Sequence, residues 1–266
     1  MKTEYADVNG ERISYTQDGS GPPVVLLHNL GTGGALWRDQ IAALNDRYTV
    51  IAVDCRGHGR STGRQAFTLD AAAEDVRCLM ETLSLVPAHV IGISAMGGRI
   101  ALSLYAMAPE AFRSLVLADT NTLPPARTMT RITETMNRLE NMTPEAYTEF
   151  ARKYAEETLL PETPPEIGDW LVSLILATPP KNYLAALRAN PKADLNPVLA
   201  TVRVPTLVLV GEHDWRTPVS CSEHIAGNIA GARLEVIPDA GHLSNLDNPV
   251  GFNTAVAAFL DSLPRP

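Results

Sequence analysis

His89-Val90-Ile91-Gly92-Ile93-Ser94-Ala95-Met96-Gly97-Gly98 is the stretch on which the fold turns. A short apolar strand at Val90-Ile91 gives way to a helical pattern from Gly97 to Ala108, through a tight turn with glycines around Ser94. Such a turn holds a serine hydroxyl clear of the backbone, and small neighbours let strand and helix approach closely. The helix N-terminus just behind it favours developing negative charge. A serine in a turn is common. Its place between a buried strand and a helix is what carries information.

Working outward, strand and helix alternate. Tyr5 to Val8 and Ile13 to Thr16 read as strands joined by an Asn9-Gly10 hairpin turn. Val24-Val25-Leu26-Leu27, Thr49 to Val53 and Leu115-Val116-Leu117 are continuous apolar runs, as strands buried on both faces require. Between them lie helical patterns at Leu36 to Leu44 and at Leu69 to Leu85, the latter with Asp70, Glu74 and Asp75 near its start. This rhythm predicts a mostly parallel, eight-stranded sheet with helices on both faces. It stops after Asp119. From about Leu123 to Leu195 only helical patterns appear, among them a stripe of Met129, Ile132, Met136 and Leu139. Breaks fall at Pro124-Pro125, Pro161, Pro164-Pro165 and Pro179-Pro180, and nine of the chain's 20 prolines lie here, as short helices with stiff turns would need. The alternation then resumes with strands at Thr206 to Val210 and Leu234 to Ile237, and helices at Val219 to Ile229 and Pro249 to Leu260. The expectation is an α/β core from residues 1–122 and 196–266, with a helical cap, 123–195, inserted after the sixth strand. That insert would sit over the carboxyl ends of the strands, where open α/β sheets place ligand sites.

Composition narrows the class. The 266 residues hold 22 Lys and Arg against 30 Asp and Glu, a formal charge of −8, with 45% hydrophobic and 20% charged residues. These are globular values, and the acidic balance disfavours nucleic acid and anionic lipid as partners. The most apolar run, Trp170 to Ala177, is too short to span a bilayer, and Met1-Lys2-Thr3-Glu4 leads into no apolar signal core. Cys55, Cys78 and Cys221 are scattered and odd in number, which suits a reducing cytoplasm better than a disulfide framework. No His, Cys and carboxylate grouping has metal-ligand spacing, and Gly31-Thr32-Gly33-Gly34 lacks the lysine of a phosphate loop, so neither metal nor nucleotide cofactor is expected.

A serine nucleophile needs a base and an orienting acid. Val208 to Val210 ends a strand just before Gly211-Glu212-His213-Asp214, and Ile237-Pro238-Asp239-Ala240-Gly241-His242 ends the next with a histidine in a glycine-marked loop. Asp214 and His242 therefore emerge at the same sheet edge as Ser94, in the chain order Ser, Asp, His. Asp119, which follows the sixth strand, is the rival acid; Asp214 is preferred for its loop and its place before His242. Asp239 lies too close to His242 in sequence to serve first as its partner. The oxyanion donors expected are the Ala95 amide and one from His28-Asn29-Leu30-Gly31, with Leu30 the choice. His28 reads as a structural hydrogen-bonding residue, His58 as a turn residue, and His213 as pointing away. His89 and His224 read as surface positions.

Together with His28-Asn29-Leu30-Gly31 and Asp54-Cys55-Arg56-Gly57-His58-Gly59-Arg60-Ser61, these segments make the chain resemble an α/β-hydrolase over essentially its whole length. Within that superfamily, four stretches are most similar to 3-oxoadipate enol-lactonases of aromatic catabolism. They are Asn29-Leu30-Gly31-Thr32, Leu115 to Thr120, Ala177-Thr178-Pro179-Pro180 and Gly241-His242-Leu243-Ser244-Asn245. The resemblance implies cofactor-free hydrolysis of a small ester or lactone through an acyl-enzyme on Ser94, resolved by water that His242 activates. The aromatic-rich insert of true enol-lactonases is not evident.

One departure matters. The usual turn is G-x-S-x-G, whereas Met96 stands where the second glycine should be, and the glycines follow at Gly97-Gly98. Read from the strand, Ser94 is at the apex; read back from the helix, Ala95 is. Gly92 and the presence of both partners favour Ser94. With Ala95 at the apex the chain would bind a ligand without hydrolysing it. A cofactor-free oxygenase or a C–C bond hydrolase could use the same three residues, while epoxide hydrolases and haloalkane dehalogenases are disfavoured because they place an aspartate at the apex. In the insert, Arg127, Arg131, Arg138 and Arg188 could meet a carboxylate substrate or simply form a solvated face. Trp37 and Trp170 fit core and pocket equally well.

Overall fold

The computed structural model describes residues 2–124, 126–140 and 142–264. Strands β1 (Lys2–Val8), β2 (Glu11–Asp18), β3 (Pro23–Leu27), β4 (Thr49–Val53), β5 (Ala88–Ile93), β6 (Phe112–Ala118), β7 (Thr206–Gly211) and β8 (Arg233–Ile237) form one sheet. Their order is β1-β2-β4-β3-β5-β6-β7-β8. Only the β1–β2 and β2–β4 pairs are antiparallel; β4 through β8 run parallel. The first hairpin closes through Asn9 and Gly10 at φ +47° and +78°, the left-handed pair that suits the twist of adjoining strands. Every residue of β5 and of β7 is buried, which is why the inner strands read as unbroken apolar runs.

That burial corrects one expectation. His89, read as a surface residue, lies within β5 and is only 7% exposed. Its Nδ1 is 2.7 Å from Ser114 Oγ on β6, and its ring meets Tyr48 edge-on. A polar residue on a strand flanked on both sides can be satisfied across the sheet, and nothing local in the sequence announces the partner.

The helices are α1 (Arg38–Leu44), α2 (Leu69–Thr82), α3 (Ser94–Met107), α4 (Ala126–Leu139), α5 (Pro144–Thr158), α6 (Pro165–Leu176), α7 (Pro180–Ala189), α8 (Asn196–Leu199), α9 (Val219–Asn228), α10 (Ser244–Asp247) and α11 (Pro249–Asp261). Helices α4 to α8 all fall between β6 and β7. Prolines Pro144, Pro165 and Pro180 open α5, α6 and α7, where a missing N–H costs nothing and the fixed φ favours the turn. Thr68 and Thr143 cap α2 and α5, each accepting from a backbone N–H three residues on. Helix α2 stops three residues before the expected Leu85. Ser84 takes φ +54°, its N–H donates to Glu81 O, and Leu85 N–H donates to Met80 O, the paired bonds of a left-handed helix end.

Alternate residues of the strands feed two apolar layers. Val25, Leu27, Val90 and Leu115 face a cluster with Val76 and Ile100 of α2 and α3. Val24, Leu26, Ile91 and Val116 face a cluster with Ile41, Phe252 and Phe259 of α1 and α11, and Tyr147, Phe150, Leu171 and Ile175 of α5 and α6 join it. The insert is thus fastened to the sheet by buried apolar area rather than by its connections alone. Chain connections leave β3 toward β4 on one side and β5 toward β6 on the other, so the loops after β3 and β5 diverge and open a crevice at their carboxyl ends. No helix among the described residues is long and apolar enough to cross a membrane.

Candidate active site

Ser94 follows β5 directly and is the first residue of α3, with φ +60°. A left-handed non-glycine residue costs about 1–2 kcal/mol and persists only where its surroundings hold it. Here crowding does so. A Cβ on Gly92 would lie 2.4 Å from Gly97 O, and a Cβ on Gly97 would lie 2.2 Å from Leu27 O. The first turn of α3 is therefore pressed against β5 and β3 at points only glycine can occupy. The helix begins three residues before the expected Gly97, so the displaced glycines fall inside its first turn. Met96 is fully buried in the cluster with Leu27 and Ile100. Ser94 carries the positive φ, and Ala95 is already helical.

Ser94 Oγ is 2.9 Å from His242 Nε2, and His242 Nδ1 is 2.9 Å from Asp214 Oδ2. All three side chains are buried. An ionised carboxylate can only accept, so the Nδ1 proton points at Asp214 and Nε2 is left to accept from the serine hydroxyl. Asp214 is held by its own loop: its Oδ1 accepts from the backbone N–H of Arg216 at 2.8 Å and of Thr217 at 2.9 Å, and its Oδ2 accepts from Thr217 Oγ1 at 2.6 Å. Burial alone would raise its carboxyl, but the charge of His242 and the hydrogen bonds from His242 and Thr217 outweigh that and hold it below the usual range. Asp119, the rival acid, does not bond His242. It accepts from Gly211 N–H and from the N–H and hydroxyl of Ser244.

Ser94 and His242 open onto a cavity of about 380 Å³. Leu30, in the loop after β3, and Ala95, next to Ser94 in α3, both line it. Ala95 lies in the first turn of α3, where backbone N–H groups lack partners within the helix. The loop bearing Leu30 is pinned by His28, whose Nδ1 donates to Asn29 O at 2.7 Å and whose Nε2 accepts from Cys55 N–H at 3.0 Å. Complete burial lowers the His28 pKa to about 4, so the ring is neutral and structural. His58 is likewise buried, its ring against Arg56 O.

Several lining groups escaped sequence reading. Asn29, Tyr154, Trp215 and Arg216 all face the cavity. Of the four insert arginines considered, Arg131 and Arg138 line it and Arg188 pairs with Glu140. The Arg127 side chain, like Pro125, lies outside the described residues. Trp37 belongs to the core, and Trp170 stacks beneath Arg38. From the apolar stripe of α4, Leu139 is buried, Ile132 reaches the cavity wall and Met129 is exposed. Among the described residues, no three His, Cys, Asp or Glu side chains cluster as metal ligands.

The sequence profile of the α/β-hydrolase fold matches residues 22–161 and 128–249. 3-Oxoadipate enol-lactonase 1 of Acinetobacter baylyi is 32% identical, over 98% of this chain and 94% of that protein. The crystal structure of the enol-lactonase from Burkholderia xenovorans superposes with a TM-score of 0.90 at 28% identity, covering 97% of this chain and 100% of that one. A thermophilic esterase from Thermogutta terrifontis gives 0.89 at 26%, covering 98% of each chain. Strand order, matched length and identity agree: the chain belongs to the α/β-hydrolase fold family.

Proposed function

We propose that this protein is a serine hydrolase of small carboxylic esters or lactones. Ser94 Oγ attacks the carbonyl carbon while His242 Nε2 takes its proton. Asp214 keeps the imidazole in the receptive tautomer and stabilises the imidazolium. The tetrahedral oxyanion is met by the N–H groups of Leu30 and Ala95. Its collapse breaks the acyl C–O bond, and His242 returns the proton to the leaving alkoxide, which in a lactone stays tethered to the acyl group. Water then attacks the acyl-enzyme, again losing its proton to His242, and Ser94 is regenerated. Residues 123–195 act as the cap that walls the pocket.

The observation that carries this reading is the hydrogen-bonded chain Ser94–His242–Asp214, opening on a cavity of the size that suits a small ligand. The positive φ at Ser94, with Ala95 inside the helix, favours hydrolysis over simple ligand binding. Relatives described as esterase and enol-lactonase add weight. A panel of 4-nitrophenyl esters with short acyl chains, together with five- and six-membered lactones, is the test. Turnover by the wild type, reduced by about 10³-fold or more in Ser94→Ala, is expected. Equal turnover by both proteins would refute the role of Ser94.

A further inference from the structure

Arg99 lies in α3 just past the Ser94 turn, and its side chain is fully buried. Among the described residues, no carboxylate lies within ion-pair distance of it. Burial lowers its pKa to about 10, against the pull of the Asp194 charge, so the guanidinium is charged at neutral pH. A buried charge without a counter-ion is costly unless hydrogen bonds satisfy it. Here all five N–H donors of the fork go to uncharged carbonyl oxygens. Nε donates to Asn190 Oδ1 at 3.2 Å, Nη1 to Asn121 Oδ1 at 3.4 Å and Thr122 O at 2.5 Å, and Nη2 to Asn190 O at 2.9 Å and Ala193 O at 2.5 Å.

These acceptors belong to the two connections of the helical insert. Asn121 and Thr122 lie between β6 and α4, and Asn190 and Ala193 lie between α7 and α8. Thr122 O also accepts from Leu195 N–H at 3.2 Å, and Thr122 Oγ1 donates to Asn196 Oδ1 at 2.6 Å, so the outgoing and returning chain are stitched together around the guanidinium. Asn121 and Asn190 also line the cavity, although they are only 2% and 5% exposed. A guanidinium can only donate, so each carboxamide must turn Oδ1 toward Arg99 and Nδ2 away from it. Among the described residues, neither Nδ2 has a hydrogen-bond partner. Two uncharged N–H2 groups are thus left for whatever occupies the cavity, and a donor in so dry a wall gains by meeting an oxygen.

We propose that Arg99 is a positioning residue: it touches no substrate, but fixes the carboxamides of Asn121 and Asn190 so that their N–H2 groups bind an uncharged substrate oxygen, a keto or second ester carbonyl beyond the scissile bond. The proposal rests on the hydrolytic reading above and adds to it a pair of donors and the substrate oxygen they meet.

The test compares 4-nitrophenyl 5-oxohexanoate with 4-nitrophenyl 5-methylhexanoate, in which a methyl group replaces the keto oxygen. The wild type is expected to favour the keto ester by about 3- to 10-fold in kcat/KM, through KM, as one or two neutral hydrogen bonds would give. Asn121→Ala and Asn190→Ala each lower that ratio. Arg99→Lys keeps the charge but has three donors where five are used, and brings the ratio to about one. The ratio is internal to each protein, so a smaller folded fraction leaves it unchanged. Both esters slowed equally in Arg99→Lys, with the wild-type ratio kept, would overturn the positioning role; should that variant not fold, the wild-type ratio in both asparagine variants would overturn it instead. Equal turnover of the two esters by the wild type would overturn the donor pair and leave the hydrolytic reading standing. Tryptophan fluorescence of Ser94→Ala reads binding without turnover, because Trp215 lines the cavity. Binding of methyl 5-oxohexanoate but not methyl 5-methylhexanoate, lost when Arg99→Lys is added, would keep the donor pair; if the wild type hydrolyses neither nitrophenyl ester, the hydrolytic reading alone is overturned.

Discussion

Asp119 and Asp214 follow the neighbouring strands β6 and β7, yet only Asp214 turns its carboxylate to His242, 2.9 Å from Nδ1. Asp119 faces the other way. Its Oδ1 accepts from Gly211 N–H at 2.9 Å, at the end of β7, and its Oδ2 accepts from Ser244 N–H at 3.0 Å and Ser244 Oγ at 2.6 Å, two residues past His242. One carboxylate bonds the imidazole; the other ties together the two loops that carry Asp214 and His242. The environments separate them further. Complete burial and the negative charge of Asp214 push the Asp119 carboxyl well up, while Asp214 is held low by the imidazole and Thr217.

This division of labour separates two substitutions. Asp214→Asn is expected to lower kcat by about 10⁴-fold, because the amide presents a donor to Nδ1 and selects the wrong tautomer. Asp119→Ala orphans two buried N–H groups and should cost about 3 kcal/mol of stability, with a far smaller loss of kcat. Urea denaturation and steady-state kinetics on the same preparations read both. Equal losses of kcat with stability unchanged in Asp119→Ala would contradict the assignment.

Glycine has opposite meanings at two helical positions. A Cβ on Gly97 would meet Leu27 O at 2.2 Å, whereas a Cβ on Gly168 in α6 would meet nothing within 4 Å. Gly97→Ala should therefore destabilise by about 3 kcal/mol or more through forced separation of α3 from β3. Gly168→Ala should stabilise by about 0.5–1 kcal/mol by restricting the unfolded chain and favouring the helix. Thermal unfolding of the two variants, shifting in opposite directions, is the check.

Three buried histidines, His28, His58 and His89, set a pH dependence of stability. Burial lowers His28 and His89 to about 4 and, with the His28 ring beside it, lowers His58 to about 3. Unfolded, each takes a proton below about pH 6.5. Between pH 6.5 and about 4 the unfolded chain therefore holds more protons, so stability falls as pH falls, by up to about 1.4 kcal/mol per unit for each ring. The raised Asp119 carboxyl acts with the opposite sign, so the informative quantity is a difference. His58→Asn should flatten the slope of unfolding free energy between pH 6.5 and 5 relative to the wild type; an unchanged slope would show that His58 is not held neutral.

Much of this architecture was legible because the inner strands are buried on both faces and so appear as short apolar runs, and because the loops with Ser94, Asp214 and His242 each follow such a run. What sequence could not give was long-range. His89 looked like a surface residue because its partner Ser114 lies on the next strand, 25 residues on. The helical pattern begins at Gly97, yet α3 starts at Ser94, and its glycines serve the close contact of its first turn with β3 and β5. The end of α2 at Ser84 depends on a left-handed serine that no composition rule singles out. Arg216 carries no local signal, because the ring it lies over, Tyr154, is on a helix 62 residues earlier.

The proposed hydrolysis requires Ser94 to be an activated nucleophile despite Met96 standing where a glycine is usual. Labelling with a fluorophosphonate, followed by mass spectrometry of the peptide spanning the β5–α3 turn, tests it most directly. The expected result is a covalent adduct on Ser94 Oγ that is absent in Ser94→Ala. No adduct, under conditions that label a known serine hydrolase, would contradict it and leave a ligand-binding protein built on the same fold.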